Sequence, residues 1–299
     1  MASRRDLDKY QRAQGEIDRL CRRELRAVWA RLAPVIGDDP AAVRDALVEV
    51  VQALCVKYGD LASTAAADWY DDLRAKNPGL PPYAAQTTSP VSPAAVEGTV
   101  RYAAGELWGD DPAKTRAMVE TALARWNRYA GRDTILHNVG RDPAHPAWAR
   151  VPRGAKTCAW CTMLASRGWA YSSEDAAARS GHDNCDCQIV PDWEAKKHIL
   201  EGYDPDRLYD QYQVAHQSVL DEGGTADEES VLAAMRELFP TQYTDGNTGK
   251  VKGSSADGTL SAQHYRQRRQ RLAADLAAMP EAERRGKKLP PSLPPEAPT

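Results

Sequence analysis

The stretch DLDKYQRAQGEIDRLCRRELRAVWARL, residues 6–32, decides the fold class. Its apolar positions Leu7, Tyr10, Ile17, Cys21, Leu25, Val28 and Leu32 recur at three- and four-residue steps or their multiples, the period of an amphipathic helix. One face is expected to be buried, and the other carries Arg, Lys, Glu and Asp. Pro34 and Gly37 end this helix. Asp39-Pro40 then supplies an N-cap followed by a first-turn proline. A long, strongly apolar second helix is expected through Val43, Leu47, Val50, Val51, Leu54, Tyr58 and Leu61 to Leu73.

Residues 77–93 hold Pro78, Gly79, Pro81, Pro82, Pro90 and Pro93, which predicts a linker or an extended segment crossing the helical layer. Helical pattern returns over Pro93–Leu107, then from Asp111-Pro112 through Met118, Val119, Leu123, Trp126 and Tyr129. The expectation is a helical N-terminal domain of four helices over residues 1–130. After Asp133 the texture changes, with Pro143, Pro146, Pro152, Gly154, Gly168 and Gly181 punctuating short runs. Trp148–Val151, Trp169–Tyr171 and Gln188–Val190 read as strands, Cys161–Arg167 as a helical turn and Ser173–Arg179 as a helix. Residues 131–195 are thus expected to form a small α+β module. A helical extension follows over 196–240, through Leu208, Tyr212, Ala215 and Val219 and again over Glu228–Leu238. Residues 241–299 read as a flexible linker, a basic helix about Ser261–Met279 and a disordered proline-rich tail. The fold class is mainly α with a small α+β zinc-binding module.

Inside that module the chain packs four of its six cysteines and one of its six histidines into thirty residues: Cys158-Ala-Trp-Cys161, then His182-Asp-Asn-Cys185-Asp-Cys187. A C-x-x-C knuckle lets two thiolates converge on one ion, and a second cluster about twenty residues on can close a tetrahedral zinc site. Cys158, Cys161, His182, Cys185 and Cys187 compete for four places. Cys158, Cys161 and Cys185 are the favoured ligands, with the fourth open between His182 and Cys187. A module with few large side chains of its own is where a bound metal adds folding energy directly. Against this stand a redox C-x-x-C, which needs a thioredoxin-like βαβ setting, and disulfides or cysteines without a special role. Cys21 and Cys55 lie on apolar helix faces and read as core.

Composition bounds the function. With 299 residues, 42% hydrophobic content and a net charge of −3, the chain can bury a substantial core and is not a globally basic nucleic-acid binder. No apolar stretch approaches the roughly 20 residues that span a bilayer, so no membrane partner is expected. The first residues lack the apolar core of a secretion signal, so synthesis in a cytoplasm is expected. Arginine-over-lysine bias and abundant alanine suggest a GC-rich bacterial or phage genome. The remaining histidines form no H-E-x-x-H or nucleophile-elbow pattern, and no catalytic residue is assigned. Arg266, Arg268, Arg269 and Arg271 could touch nucleic-acid phosphates or an acidic partner, or could form a solvated face diluted by Asp275, Glu281 and Glu283.

The run Thr157-Cys-Ala-Trp-Cys-Thr-Met-Leu-Ala-Ser-Arg-Gly168, with Tyr171, His182-x-x-Cys185-x-Cys187 and Val190-Pro191, resembles the C-terminal signature of the phage Mu F-like minor head family, in its actinophage form. The likeness covers roughly residues 130–195, including Asp133-Thr-Ile-Leu-His-Asn138. Where the family pattern commonly has a proline after the histidine, Asp183 stands here. The resemblance implies a minor capsid or head morphogenesis protein of a tailed bacteriophage, acting in procapsid assembly and DNA packaging or ejection beside the portal. Its implied partners are portal, major capsid or scaffold proteins and packaged DNA. Its implied location is the host cytoplasm during assembly, then the virion head. Some related proteins are labelled capsid maturation proteases. A thiolate-rich set able to close its own shell favours a structural zinc over a peptidase.

Overall fold

The computed structural model describes residues 2–88, 91–154, 156–171, 187–194 and 199–246. The chain divides into two compact units. One is Met1–Ala149 with Trp169–Gly202, and the other is Arg150–Gly168 with the chain from Tyr203 onward. Among the described residues the fold is mainly helical with one small two-stranded sheet.

The first unit is built on α1 (Arg4–Leu32), α2 (Pro40–Arg74), α3 (Pro93–Ala103) and α4 (Ala113–Arg141). Their starts follow from capping chemistry. Ser3 and Asp6 form a reciprocal capping box, the Ser3 N–H donating to Asp6 Oδ2 at 2.8 Å and the Asp6 N–H to Ser3 Oγ at 3.3 Å. Asp39 accepts from the Ala42 N–H at 2.9 Å and Ser92 from the Ala95 N–H at 3.2 Å, each just before a proline at the first helical position. α2 packs against α1, α3 and α4. The core between them joins Ile17, Cys21, Leu25 and Trp29 of α1 to Val43, Leu47, Val51, Leu54 and Tyr58 of α2, Val96 and Val100 of α3, and Val119, Leu123 and Trp126 of α4. Cys21 and Cys55 sit in this core, and burial pushes both thiols up to about 12. They are inert apolar fillers at neutral pH.

Residues 80–88 of the proline-rich segment form neither helix nor strand and bond to α4. Asn138 of α4 holds it as a neighbouring strand would, its Nδ2 donating to Gln86 O and its Oδ1 accepting from the Gln86 N–H, both at 2.8 Å. Tyr83 OH adds a bond to the same Oδ1 at 2.7 Å, and Thr88 and Thr134 hydroxyls meet at 3.0 Å. These bonds answer backbone groups that an irregular segment leaves open.

Helical pattern alone places the end of α4 near Tyr129, whereas the helix continues to Arg141. Beyond Ala130 almost every side of it is covered, so its polar residues are satisfied by tertiary partners and no amphipathic stripe marks the continuation. β1 (Ala147–Val151) pairs with β2 (Gln188–Asp192), and α4 packs on β2. The expected strand Trp169–Tyr171 shrinks to a single antiparallel bridge, Tyr171 to Trp148, whose rings stack with centroids 4.4 Å apart. The expected helix Ser173–Arg179 lies outside the described residues.

The second unit contains α5 (Ala159–Ala165), α6 (Pro205–Asp221) and α7 (Glu228–Leu238), which pack on one another. Asp204 and Asp227 cap the last two, accepting from the N–H groups of Arg207 at 3.0 Å and Ser230 at 2.8 Å. Its buried apolar residues outside α5 include Val151, Tyr203, Leu208, Val214, Ala215, Val231, Leu232, Met235, Phe239 and Tyr243. The expected basic helix and proline-rich tail lie outside the described residues.

One stability consequence is local to α1. Gly15 lies mid-helix, exposed, with nothing within 4 Å of where a Cβ would stand. Gly15→Ala is expected to stabilise the chain by about 0.5–1 kcal/mol, because glycine loses more backbone entropy in a helix. A denaturant midpoint shifted upward at unchanged m-value checks it.

Candidate metal centre

Thr157 enters the C-x-x-C knuckle through a parallel bridge to Tyr243, its carbonyl accepting from the Thr244 N–H at 3.0 Å. Cys158 is the N-cap of α5, its Sγ accepting from the Cys161 N–H at 3.2 Å, so the sulfur takes the place a serine or aspartate oxygen usually holds. The neighbouring Ala159 N–H goes instead to Asp245 Oδ1 at 2.8 Å. Arg236 Nε fixes the other oxygen of that carboxylate at 2.7 Å. Burial pushes the Asp245 carboxyl up, but the Ala159 N–H and the Arg236 guanidinium outweigh it and hold the group below its usual range. Cys158 is 6% exposed and Cys161 is fully covered. Around them Thr162 Oγ1 donates back to Cys158 O at 3.0 Å, Tyr203 OH to Ala165 O at 2.6 Å, and Trp160 Nε1 to Glu228 Oε1 at 3.3 Å.

The knuckle is therefore a buried pair of sulfurs, one already receiving a backbone N–H. Such N–H···S bonds compensate part of a thiolate's negative charge, as metal-ligating cysteines require. Cysteine pairs at this spacing are a donor type that zinc sites use. The cysteine does open a helix, as a redox C-x-x-C would, but Thr157 enters by an isolated bridge, and among the described residues the sheet has two strands and no βαβ frame.

In the first unit, Cys187 immediately precedes β2 and is 1% exposed. Arg132 of α4, itself buried, donates to Cys187 O from Nε at 3.1 Å and from Nη2 at 2.5 Å, with Nη2 3.6 Å from Sγ. A guanidinium at that distance compensates negative charge on the sulfur. His182 and Cys185 lie outside the described residues, as do Arg266, Arg268, Arg269 and Arg271. Among the described residues no group of three His, Cys, Asp or Glu side chains gathers to hold a metal.

Arg132 is the participant that sequence reasoning passes over. Its signal is an arginine within GRDT, residues 131–134, where the chain gives no solvated face to receive it.

The same unit carries a buried polar hub. Asp142 is fully covered and closes α4 as its C-cap. Its Oδ2 accepts from Tyr70 OH at 3.0 Å, Arg74 Nε at 2.9 Å and Trp193 Nε1 at 3.0 Å, and its Oδ1 from the Ala144 N–H at 2.8 Å and Arg74 Nη2 at 3.2 Å. Burial raises the carboxyl's proton affinity, yet Arg74 and the three neutral donors together hold it below its usual value.

No helix among the described residues is long and apolar enough to cross a membrane. Residues 1–215 match the VG15 protein family. The Gene 15 protein of Mycobacterium phage L5 is 38% identical over 106 residues, covering 31% of this chain and 35% of the relative. The Gene 15 protein of Mycobacterium phage D29 is 39% identical over 98 residues, covering 31% of this chain and 34% of the relative. The chain thus spans about a third of the length of these curated relatives. No solved structure matches. With residues 1–215 of 299 matched and both of these relatives encoded by phages, the chain belongs to the VG15 family of bacteriophage proteins.

Proposed function

We propose that this chain is a minor head protein of a tailed phage, of the Mu F-like kind, which works by binding and placement in procapsid assembly and in DNA packaging or ejection near the portal. Its partners in this reading are the portal, major capsid or scaffold proteins. It acts in the host cytoplasm during assembly and then stays in the virion. The observation that carries the reading is the buried Cys158–Cys161 knuckle, held by the Cys161 N–H and by Asp245, within a chain of phage kinship. A buried pair of sulfurs, one of them accepting a backbone N–H, suits a structural ion. Cys158, Cys161 and Cys185, with His182 or Cys187, would hold zinc, which supplies folding free energy there and no reactive water.

Two measurements test it. Elemental analysis of protein purified without added zinc is expected to give one zinc per chain. Cys158→Ser and Cys161→Ser are each expected to lose the metal and about 2 kcal/mol of stability, while His182→Ala compared with Cys187→Ser identifies the fourth ligand. Metal-free protein with unchanged melting removes the zinc from the reading. For the assembly role, the chain is co-expressed with the major capsid protein of its phage and followed into purified particles. Retention there without precursor cleavage supports placement. Specific cleavage abolished by one substitution in this chain makes it a maturation protease instead.

A further inference from the structure

We propose that the solvent face of α1 is a docking ridge for the phosphate backbone of duplex DNA. The helix buries Leu7, Tyr10, Gln14, Ile17, Cys21, Leu25 and Trp29. Opposite that stripe it exposes Arg5, Arg12, Arg19 and Arg26, one arginine every seven residues, with Arg22, Arg23 and Arg31 also exposed. A seven-residue step nearly completes two turns, so these side chains stand in a row at intervals of about 10.5 Å along the axis.

The charge on this face is cancelled only in part, because most of the helix's own acids are engaged away from it. Asp6 pairs with Lys76 at 2.6 Å, Asp8 with Arg4 at 3.2 Å, and Glu24 with Lys57 at 2.7 Å. Asp18 accepts from Asn127 at 3.1 Å and faces Arg128 at 3.8 Å. Glu16 is taken by Arg19 at 2.5 Å, and Arg26 is answered from α4 by Glu120 at 2.8 Å. Arg5, Arg12, Arg22, Arg23 and Arg31 make no ion pair among the described residues. Three of these, Arg5, Arg12 and Arg23, stand within about 20° of one another around the axis and span about 27 Å of the helix, with Arg22 and Arg31 on its two flanks, in a chain whose net charge is −3.

The nature of the partner follows from what lies between the charges. Ala13, Gly15, Ala27 and Ala30 are the exposed uncharged residues of the helix. A protein partner would find no large apolar or aromatic anchor here, and such anchors carry most protein–protein affinity. A rigid, regularly charged polymer needs none, since its affinity comes from counterion release. The inference stands on α1 alone and on no part of the zinc or head-assembly reading.

Fluorescence anisotropy of the full chain with a labelled mixed-sequence duplex of about 30 base pairs, between about 50 and 200 mM salt, tests it. The expected slope of log K against log salt approaches about −3, roughly 0.9 per engaged arginine of the shared face. The combined variant Arg5→Gln, Arg12→Gln, Arg22→Gln, Arg23→Gln and Arg31→Gln should bind at least about tenfold more weakly with a flattened slope. Its melting by circular dichroism should match the parent, since all five side chains are exposed. The double change Arg12→Glu and Arg23→Glu provides a second, smaller perturbation with the same expected direction. Substituting Arg266, Arg268, Arg269 and Arg271 by Gln should leave the contribution of α1 in place. Absence of DNA binding by the parent, or equal binding by the α1 variants, overturns the proposal. So does polyglutamate displacing the duplex at equal charge concentration, which would give the ridge to an acidic protein.

Discussion

Asp142→Ala should destabilise the first unit by about 3–5 kcal/mol, the cost of removing one partner from a buried ion pair. The carboxylate is fully covered, and four residues donate to it. Deleting it leaves the Arg74 guanidinium, whose side chain is only 10% exposed, without its counter-ion. Arg74 keeps a bond to Pro81 O and stands over the Tyr83 ring at 5.6 Å, but neither contact neutralises its charge. The Tyr70 hydroxyl and the Trp193 indole N–H lose their acceptor in the same step. These groups come from α2, the end of α4 and the segment after β2, so one carboxylate joins three parts of the unit. Equilibrium urea unfolding followed by tryptophan fluorescence reads the loss, and a change within about 0.5 kcal/mol would sink the argument.

The same hub sets an acid limit. Because the folded Asp142 carboxyl lies below its usual value, the unfolded chain binds a proton there at higher pH than the folded chain does. The stabilisation is therefore fully present above the ordinary carboxylate range near 3.9 and is lost as pH falls through the lower folded value. Asp142→Asn keeps the shape but cannot titrate. Its unfolding free energy should be lower than the parent's at neutral pH, with the gap narrowing below about pH 4.

The helices of both units were largely legible because their cues are local. The three-and-four periodicity of Leu7, Tyr10, Ile17, Cys21 and Leu25, the Asp39-Pro40 start and the Leu208, Ala215 and Val219 spacing all lie within a few turns. What was not legible depends on partners far away in sequence. The last three turns of α4 are such a case: Arg132, Thr134 and Asn138 look like the polar residues of a loop, yet each is buried and satisfied by Cys187, Thr88 or Gln86. The isolated pairing of Tyr171 with Trp148 reads locally as a strand because aromatic residues favour strands, although no ladder extends it among the described residues.

At the candidate site the division is the same. C-x-x-C spacing announces the knuckle, since its two sulfurs are related through one turn of α5. Nothing in the spacing announces Asp245, eighty-six residues from Ala159, as the group that anchors the next N–H. The arginines of α1 were visible as a charged face, but which of them stay without an ion-pair partner was not. It appears only once Asp6, Asp18 and Glu24 are seen committed to Lys76, Asn127 and Lys57. Charge patterning in a sequence counts signs, and tertiary structure decides which of them remain to face solvent.

Gly131→Val should cost about 3 kcal/mol, near the top of the range for inserting atoms into a packed interior. A Cβ at this position would stand 2.5 Å from Tyr10 Oη and 2.9 Å from Gln14 Nε2. Neither can step aside cheaply. The Tyr10 ring is stacked on Trp69 with centroids 4.7 Å apart, both residues are buried, and Gln14 Nε2 already donates to Tyr10 OH at 3.0 Å and to Ala62 O at 3.3 Å. Missing side-chain volume at Gly131 is therefore what lets α1 approach α4 while its glutamine reaches the backbone of α2. Gly59 is the internal control: a Cβ there would meet only Ala130 Cβ, at 4.0 Å. Gly59→Ala should be neutral or stabilising by helix propensity, whereas Gly131→Ala should already lose stability and Gly131→Val more. Equal denaturant midpoints for the two alanine variants would show that the α1–α4 contact tolerates the extra atom and that the close approach has no energetic consequence.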